Sequence, residues 1–106
     1  MKVRELFELA DAAKPNDICD SVKMRWVNDI EGKVACEIMK KAPEEHMPLS
    51  GEDSELSVPD AYVRVYLLYL WAMIELSAGN YSAFTELNRA FESELAAFAR
   101  YVIRSR

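Results

Sequence analysis

Apolar residues fall along this chain at helical spacing in four separate stretches. Val3, Leu6, Phe7 and Ala10 recur every three or four positions and make one stripe of a helix from about Val3 to Ala13, with Glu5, Glu8 and Asp11 facing away. Pro15 restricts Lys14 and ends that helix. Asn16 and Asp17 then make the segment Lys14 to Cys19 a polar connector. The second helix is predicted from Asp20 or Ser21 to Lys41, with Met24, Val27, Ile30, Val34 and Ile38 on one face. Either Asp20 or Ser21 can cap its start, and Lys40 and Lys41 suit the dipole at its end.

Between Tyr62 and Leu76 the pattern changes. The run YVRVYLLYLWAMIEL is apolar on every side, broken only by Arg64 and Glu75. A helix with one wet face shows a polar residue every third or fourth position. This third helix, from near Pro59 or Asp60 to Ala78, is therefore read as the centre of a small all-helical domain. Gly79 suits a left-handed C-terminal cap and Asn80 the cap of the next helix, so the third and fourth helices should form a tight antiparallel hairpin. The fourth runs from about Tyr81 to Ile103, with Phe84, Leu87, Phe91, Leu95, Phe98 and Val102 as its stripe. The expected fold is all-α: one domain, a small bundle of four helices, with a long loop from Ala42 to Pro59 between the second and third. In that loop Met47 and Leu49 alternate before Ser50-Gly51-Glu52-Asp53, and Leu56 and Val58 alternate after it. Such alternation across a turn suggests a short β-hairpin, which would need the helices or another chain to hold it. A loop this long in a compact domain often carries function.

Composition narrows the class. With 106 residues, 51% of them hydrophobic and 29% charged, the chain is globular rather than disordered and suits one domain. So small a core leaves a thin margin over conformational entropy, and burial against a second subunit would help. A net charge of −5 argues against tight binding to DNA or an anionic membrane. The longest uninterrupted apolar run, Val65 to Ile74, is shorter than the ~20 residues a membrane span needs. The first residues, carrying Glu5 and Glu8, lack the apolar core of a signal peptide. A soluble cytosolic protein is expected.

Catalytic and ligand-binding patterns are missing. Cys19, Cys36 and the single His46 are too few for a metal site, and both thiols are expected to be reduced and partly buried. Gly32, Gly51 and Gly79 are not spaced for a phosphate loop. Pro43-Glu44-Glu45-His46 fails the di-iron pattern, which needs Glu where Pro43 stands. Glu52-Asp53-Ser54-Glu55 lacks the calcium-loop spacing and reads as a solvated acidic turn. No enzyme activity, cofactor, metal or small-molecule substrate is expected.

Surfaces remain. Asn28, Gly32 and Ala35 share a small-residue face, read either as solvated or as a place where another helix or subunit comes close. Arg100, Arg104 and Arg106 cluster near the C-terminus, either compensating the helix dipole or forming a docking tail. Tyr62, Tyr66, Tyr69 and Trp71 read as core. Three neighbouring helices can hardly cover every side of the third helix as well as Trp26, so some of these rings are expected at a subunit contact.

MRWVNDIEGKV in the second helix, VPDAY at the start of the third, and YLLYLWAMIELSAGNYSAFTELNRAF across the third and fourth resemble tailed-phage head–tail connector proteins. These are also called head-completion or adaptor proteins and are often prophage-encoded. The resemblance covers nearly the whole chain. It implies a structural adaptor that forms a ring of about twelve copies under the portal. Such a ring extends the DNA channel and docks the tail or a stopper protein, with DNA passing through without specific binding. It also implies a place in the host cytoplasm during assembly and then at the head–tail junction of the virion. The family has no catalytic residues. Its contact roles map onto segments: the loop with Glu44, Glu45, Leu49, Glu52 and Asp53, and the end of the fourth helix with Arg100, Arg104 and Arg106. Trp26, Asn28, Gly32 and Ala35 join these as candidate protein contacts. One alternative is a DNA-packaging or helix-turn-helix DNA-binding protein. It would need a basic recognition helix, whereas the second helix mixes Lys23, Arg25, Lys33, Lys40 and Lys41 with Asp29, Glu31 and Glu37. Another is a small helical protein-interaction module unrelated to phage.

Overall fold

The computed structural model describes all residues from Met1 to Arg106. It contains four α-helices and no sheet: α1 (Val3–Ala13), α2 (Asp20–Lys33), α3 (Arg64–Ser77) and α4 (Tyr81–Arg104). The all-α expectation holds. Val3, Leu6, Phe7 and Ala10 are all buried, as their spacing requires. Val65, Tyr66, Leu68, Leu70, Ala72 and Ile74 are buried around the circumference of α3, which makes it the central helix. No helix is long and apolar enough to cross a membrane.

α3 and α4 form the expected antiparallel hairpin. Gly79 adopts φ 81°, and the Asn80 N–H returns to the Glu75 carbonyl at 2.9 Å, which closes the end of α3. Aromatic pairs join α4 to α3 and to the 3-10 turn before it, Asp60–Tyr62. Tyr69 of α3 meets Phe91 at 5.1 Å between centroids, and Tyr62 of the turn meets Phe98 and Tyr101 at 5.3 Å each. α1 runs beside α3 in the same direction. The Met1 ammonium reaches Asp60 at 2.8 Å, Trp71 Nε1 donates to the Ala10 carbonyl at 3.2 Å, and Lys14 Nζ pairs with Glu75 at 2.8 Å.

The second helix departs from its expected form in three ways. Neither Asp20 nor Ser21 caps it; Cys19 holds the cap position, with no side-chain bond to the first turn. Its exposed thiol lies 3.2 Å from the Ser21 hydroxyl, so the expectation of two partly buried thiols holds only for Cys36. The α-helix ends at Lys33 and continues as one widened π-turn, Val34–Ile38, in which the Met39 N–H bonds the Val34 carbonyl five residues back at 2.9 Å. Lys40 then takes the left-handed conformation at φ 62° and stops the helix before Lys41.

The alternating runs in the loop do not pair with each other, so no hairpin forms. Instead the chain doubles back along α2 and pairs briefly with the N-terminus. Lys2 and Glu55 form a single antiparallel bridge, with Leu56 N–H to the Met1 carbonyl at 2.9 Å and Val3 N–H to the Ser54 carbonyl at 3.0 Å. The alternation is still used in part: Leu56 and Val58 are buried in the main core. Two strands of four residues have too little to bury between themselves, and the existing helices offer more.

Two charges are buried, Lys23 at 3% exposure and Glu31 at 2%. Lys23 Nζ contacts both carboxylate oxygens of Asp11, at 2.9 and 2.8 Å, above the Phe7 ring. Glu31 accepts the Ser57 N–H at 3.0 Å.

Candidate functional site

Of the two segments singled out by resemblance, the end of α4 meets the π-turn and the loop residues Ser57 and Pro59, while Glu44 to Glu55 lie apart from it. The Arg106 guanidinium donates to the Ile38 carbonyl at 2.9 Å, across 68 residues, and so ties the C-terminus to the last turn of the π-segment. Cations belong at such a place, because unpaired carbonyls collect at a helix end. Arg100 and Arg104 remain exposed on α4.

Two clefts adjoin there and share Met39 and Ser57. One, of about 600 Å³, lies between the π-turn and the chain from Lys41 to Leu49; Val34, Ala35, Met47 and Leu49 line it, with Glu31 among them. The other, of about 400 Å³, lies between Met39, Pro59 and the last turn of α4, against Phe98, Tyr101 and Val102. Methionine walls suit adaptable binding, because the side chain is unbranched and polarizable. Met47 is 81% exposed, and Met39 and Tyr101 are partly so.

α2 positions the loop wall. Asn28 holds the Leu49 backbone from both sides, accepting its N–H at 2.8 Å and donating to its carbonyl at 3.2 Å. His46 covers Gly32; a Cβ on Gly32 would sit 3.6 Å from His46 Nε2, an ordinary contact. The protein's own loop thus covers part of the small-residue face: Ala35 is buried, while Asn28 and Gly32 stay half-buried on the wall of an open cleft. No close approach demands the glycine. Glu44 and Glu45 are exposed in a short 3-10 turn, Pro43–Glu45. Glu52 and Asp53 lie away from the clefts and face Arg4, with Arg4 Nη2 2.9 Å from Asp53. The Glu52 carboxyl is raised above its ordinary value, chiefly by a hydrogen bond with Asp20.

Trp26 is corrected outright. It is 8% exposed and belongs to the main core, so it is not free surface for a partner. Tyr66 is fully buried, and Tyr62, Tyr69 and Trp71 pack against the same core. The most exposed rings are Tyr81 and Tyr101, on α4 rather than α3.

Sequence reasoning did not single out Glu31 as a site residue. It lies four residues after Val27 and seven before Ile38, inside the apolar stripe of α2, and a charge at such a position is a signal in itself. Glu31 faces the Tyr66 phenol, whose pKa is driven well above its ordinary value by burial first and by the Glu31 charge second. Tyr66 Oη in turn accepts the Val58 N–H at 3.2 Å. Glu31 and Tyr66 thereby pin Ser57 and Val58, the link from the loop into α3. No group of three or more His, Cys, Asp or Glu side chains converges on a point where a metal could bind. Compared with family models, with curated proteins and with solved structures, the chain matches none.

Proposed function

We propose that this protein is a structural adaptor of the tailed-phage head–tail connector type, working by assembly into a ring and by docking to a portal on one side and a tail or stopper protein on the other. The observation that carries the reading is where α4 exposes its apolar side chains. Tyr81, 67% exposed, stands at its first residue and Ile103, 62% exposed, near its last. At 1.5 Å per residue these lie about 33 Å apart. Two different apolar contacts at opposite ends of one rigid helix suit head-to-tail association, in which unlike surfaces of neighbouring copies meet and close a ring. The cleft between the π-turn, Pro59 and the end of α4 supplies a surface for a different partner. Two motif residues behind the resemblance hold this fold together: Asn28 anchors the loop, and Gly79 makes the turn between α3 and α4. A ring of copies each carrying a net charge of −5 would repel phosphate on the whole and let the duplex slide, provided that carboxylates rather than Arg100 and Arg104 face the channel.

The test is negative-stain microscopy and light scattering of the purified chain, alone and mixed with a tailed-phage portal protein. The adaptor reading expects a ring added to one face of the portal. It also expects Tyr81→Ser or Ile103→Ser to weaken that ring without unfolding the subunit. A chain that stays monomeric and leaves the portal bare overturns the reading.

A further inference from the structure

Glu31 is a buried carboxylate without a cation. None of the chain's ion pairs includes it, whereas Lys23, the other buried charge, is paired with Asp11. Buried charges are ordinarily paired, because an uncompensated ion in a low-dielectric site is costly. Its protein partners are the Ser57 N–H and the Tyr66 phenol, which are dipoles rather than charges. The residue borders the 600 Å³ cleft, whose other sides include Met39, Met47 and Leu49, with 2% of its own surface exposed. Lys41 lines the same cleft, yet its side chain is exposed and makes no ion pair with Glu31. Glu45 adds a second carboxylate to the lining.

We infer that this cleft is a docking site for a segment of another protein that carries an arginine beside apolar residues, the guanidinium compensating Glu31 and the apolar neighbours lying against Met39 and Met47. Charge complementarity selects this occupant. A purely apolar segment would cover the cleft and leave the buried carboxylate still uncompensated. An acidic one would add like charge to Glu31 and Glu45. A guanidinium presents donors in a planar fork, is more weakly hydrated than an ammonium, and so suits a partly dry carboxylate best. The methionine walls adapt to whichever apolar side chains flank it. This chemistry holds whether or not the chain assembles into rings.

The experiment uses the full chain with its methionine methyl groups labelled with carbon-13, titrated with the peptide acetyl-Leu-Arg-Leu-amide. Its citrulline counterpart, equal in shape but uncharged, is the control. The expected result is a saturable shift of the Met39 and Met47 methyl signals with the arginine peptide, at least tenfold weaker with citrulline. Glu31→Gln keeps an acceptor for the Ser57 N–H, and an unchanged methyl spectrum shows that it folds; it should bind the two peptides alike. If Glu31→Gln does not fold, the comparison of the two peptides on the unmodified chain decides alone. Equal binding of both peptides by the unmodified chain overturns the proposal, as does the absence of any shift. A shift of the same methyls on raising protein concentration without peptide also overturns it, since the occupant is then a second copy.

Discussion

Asn28 and Leu49 exchange two hydrogen bonds between a helical side chain and a loop backbone 21 residues away, the amide serving as acceptor on one side and donor on the other. The side chain stands in for the strand that the loop does not have. A net ~0.5–1.5 kcal/mol per hydrogen bond predicts that Asn28→Ala costs about 1–3 kcal/mol in urea unfolding. Asn28→Asp keeps the acceptor and loses the donor, so it should fall between. Amide exchange at Leu49 should quicken in both.

Trp26 should behave as a core residue. Trp26→Ala is expected to cost about 3–5 kcal/mol. Equal stability of the variant and the parent would show that the ring is not enclosed.

The Lys23–Asp11 pair makes a contrast. Asp11→Ala leaves a buried ammonium with only Asp20, at 3.7 Å, and should cost about 3 kcal/mol. Lys23→Met removes the charge and fills the same space over Phe7, and should fall within about 1 kcal/mol of the parent. Loss of stability of the same size in both variants would contradict this.

Three backbone positions predict opposite signs. Gly32→Ala should stabilise by about 1 kcal/mol, because it improves an α-helix interior and meets only the His46 ring at ordinary contact distance. Lys40→Gly should stabilise by about 1 kcal/mol, since Lys40 holds φ 62° at a cost glycine does not bear. Gly79→Ala, at φ 81°, should destabilise by a similar amount. Each corresponds to a thermal midpoint shift of about 4–8 °C.

Acid should loosen the far end of the hairpin. The Glu75 carboxyl is held below its ordinary value of 4.5, first by the Lys14 ammonium and then by the Asn80 amide. A depressed carboxyl contributes its stability above the unfolded value, and that contribution is lost as pH falls from there through the lower folded value. Urea midpoints measured from about pH 6 to pH 3 should therefore drop less steeply for Glu75→Gln than for the parent. Glu52, whose shift is upward, acts in the opposite sense and is untouched by that substitution.

Periodicity alone determined the four helices, the hairpin of α3 and α4 with its Gly79 turn, and the central place of α3. Those features depend on which residues recur every three or four positions and on which residue tolerates a positive φ, and both are local properties. The absence of a β-hairpin, the partial covering of the Asn28–Gly32–Ala35 face and the burial of Trp26 were decided by tertiary structure. Each turns on a choice between partners that are remote in the sequence: Glu55 bridges Lys2, and Leu49 takes Asn28, because the helices bury more than the loop can bury against itself. The uncompensated Glu31 belongs to both levels. A charge in the apolar stripe of α2 is visible in the residues themselves, but only the assembled bundle could bring Ser57 and Tyr66 to its carboxylate, set a methionine cleft beside it, and leave it without an ion pair.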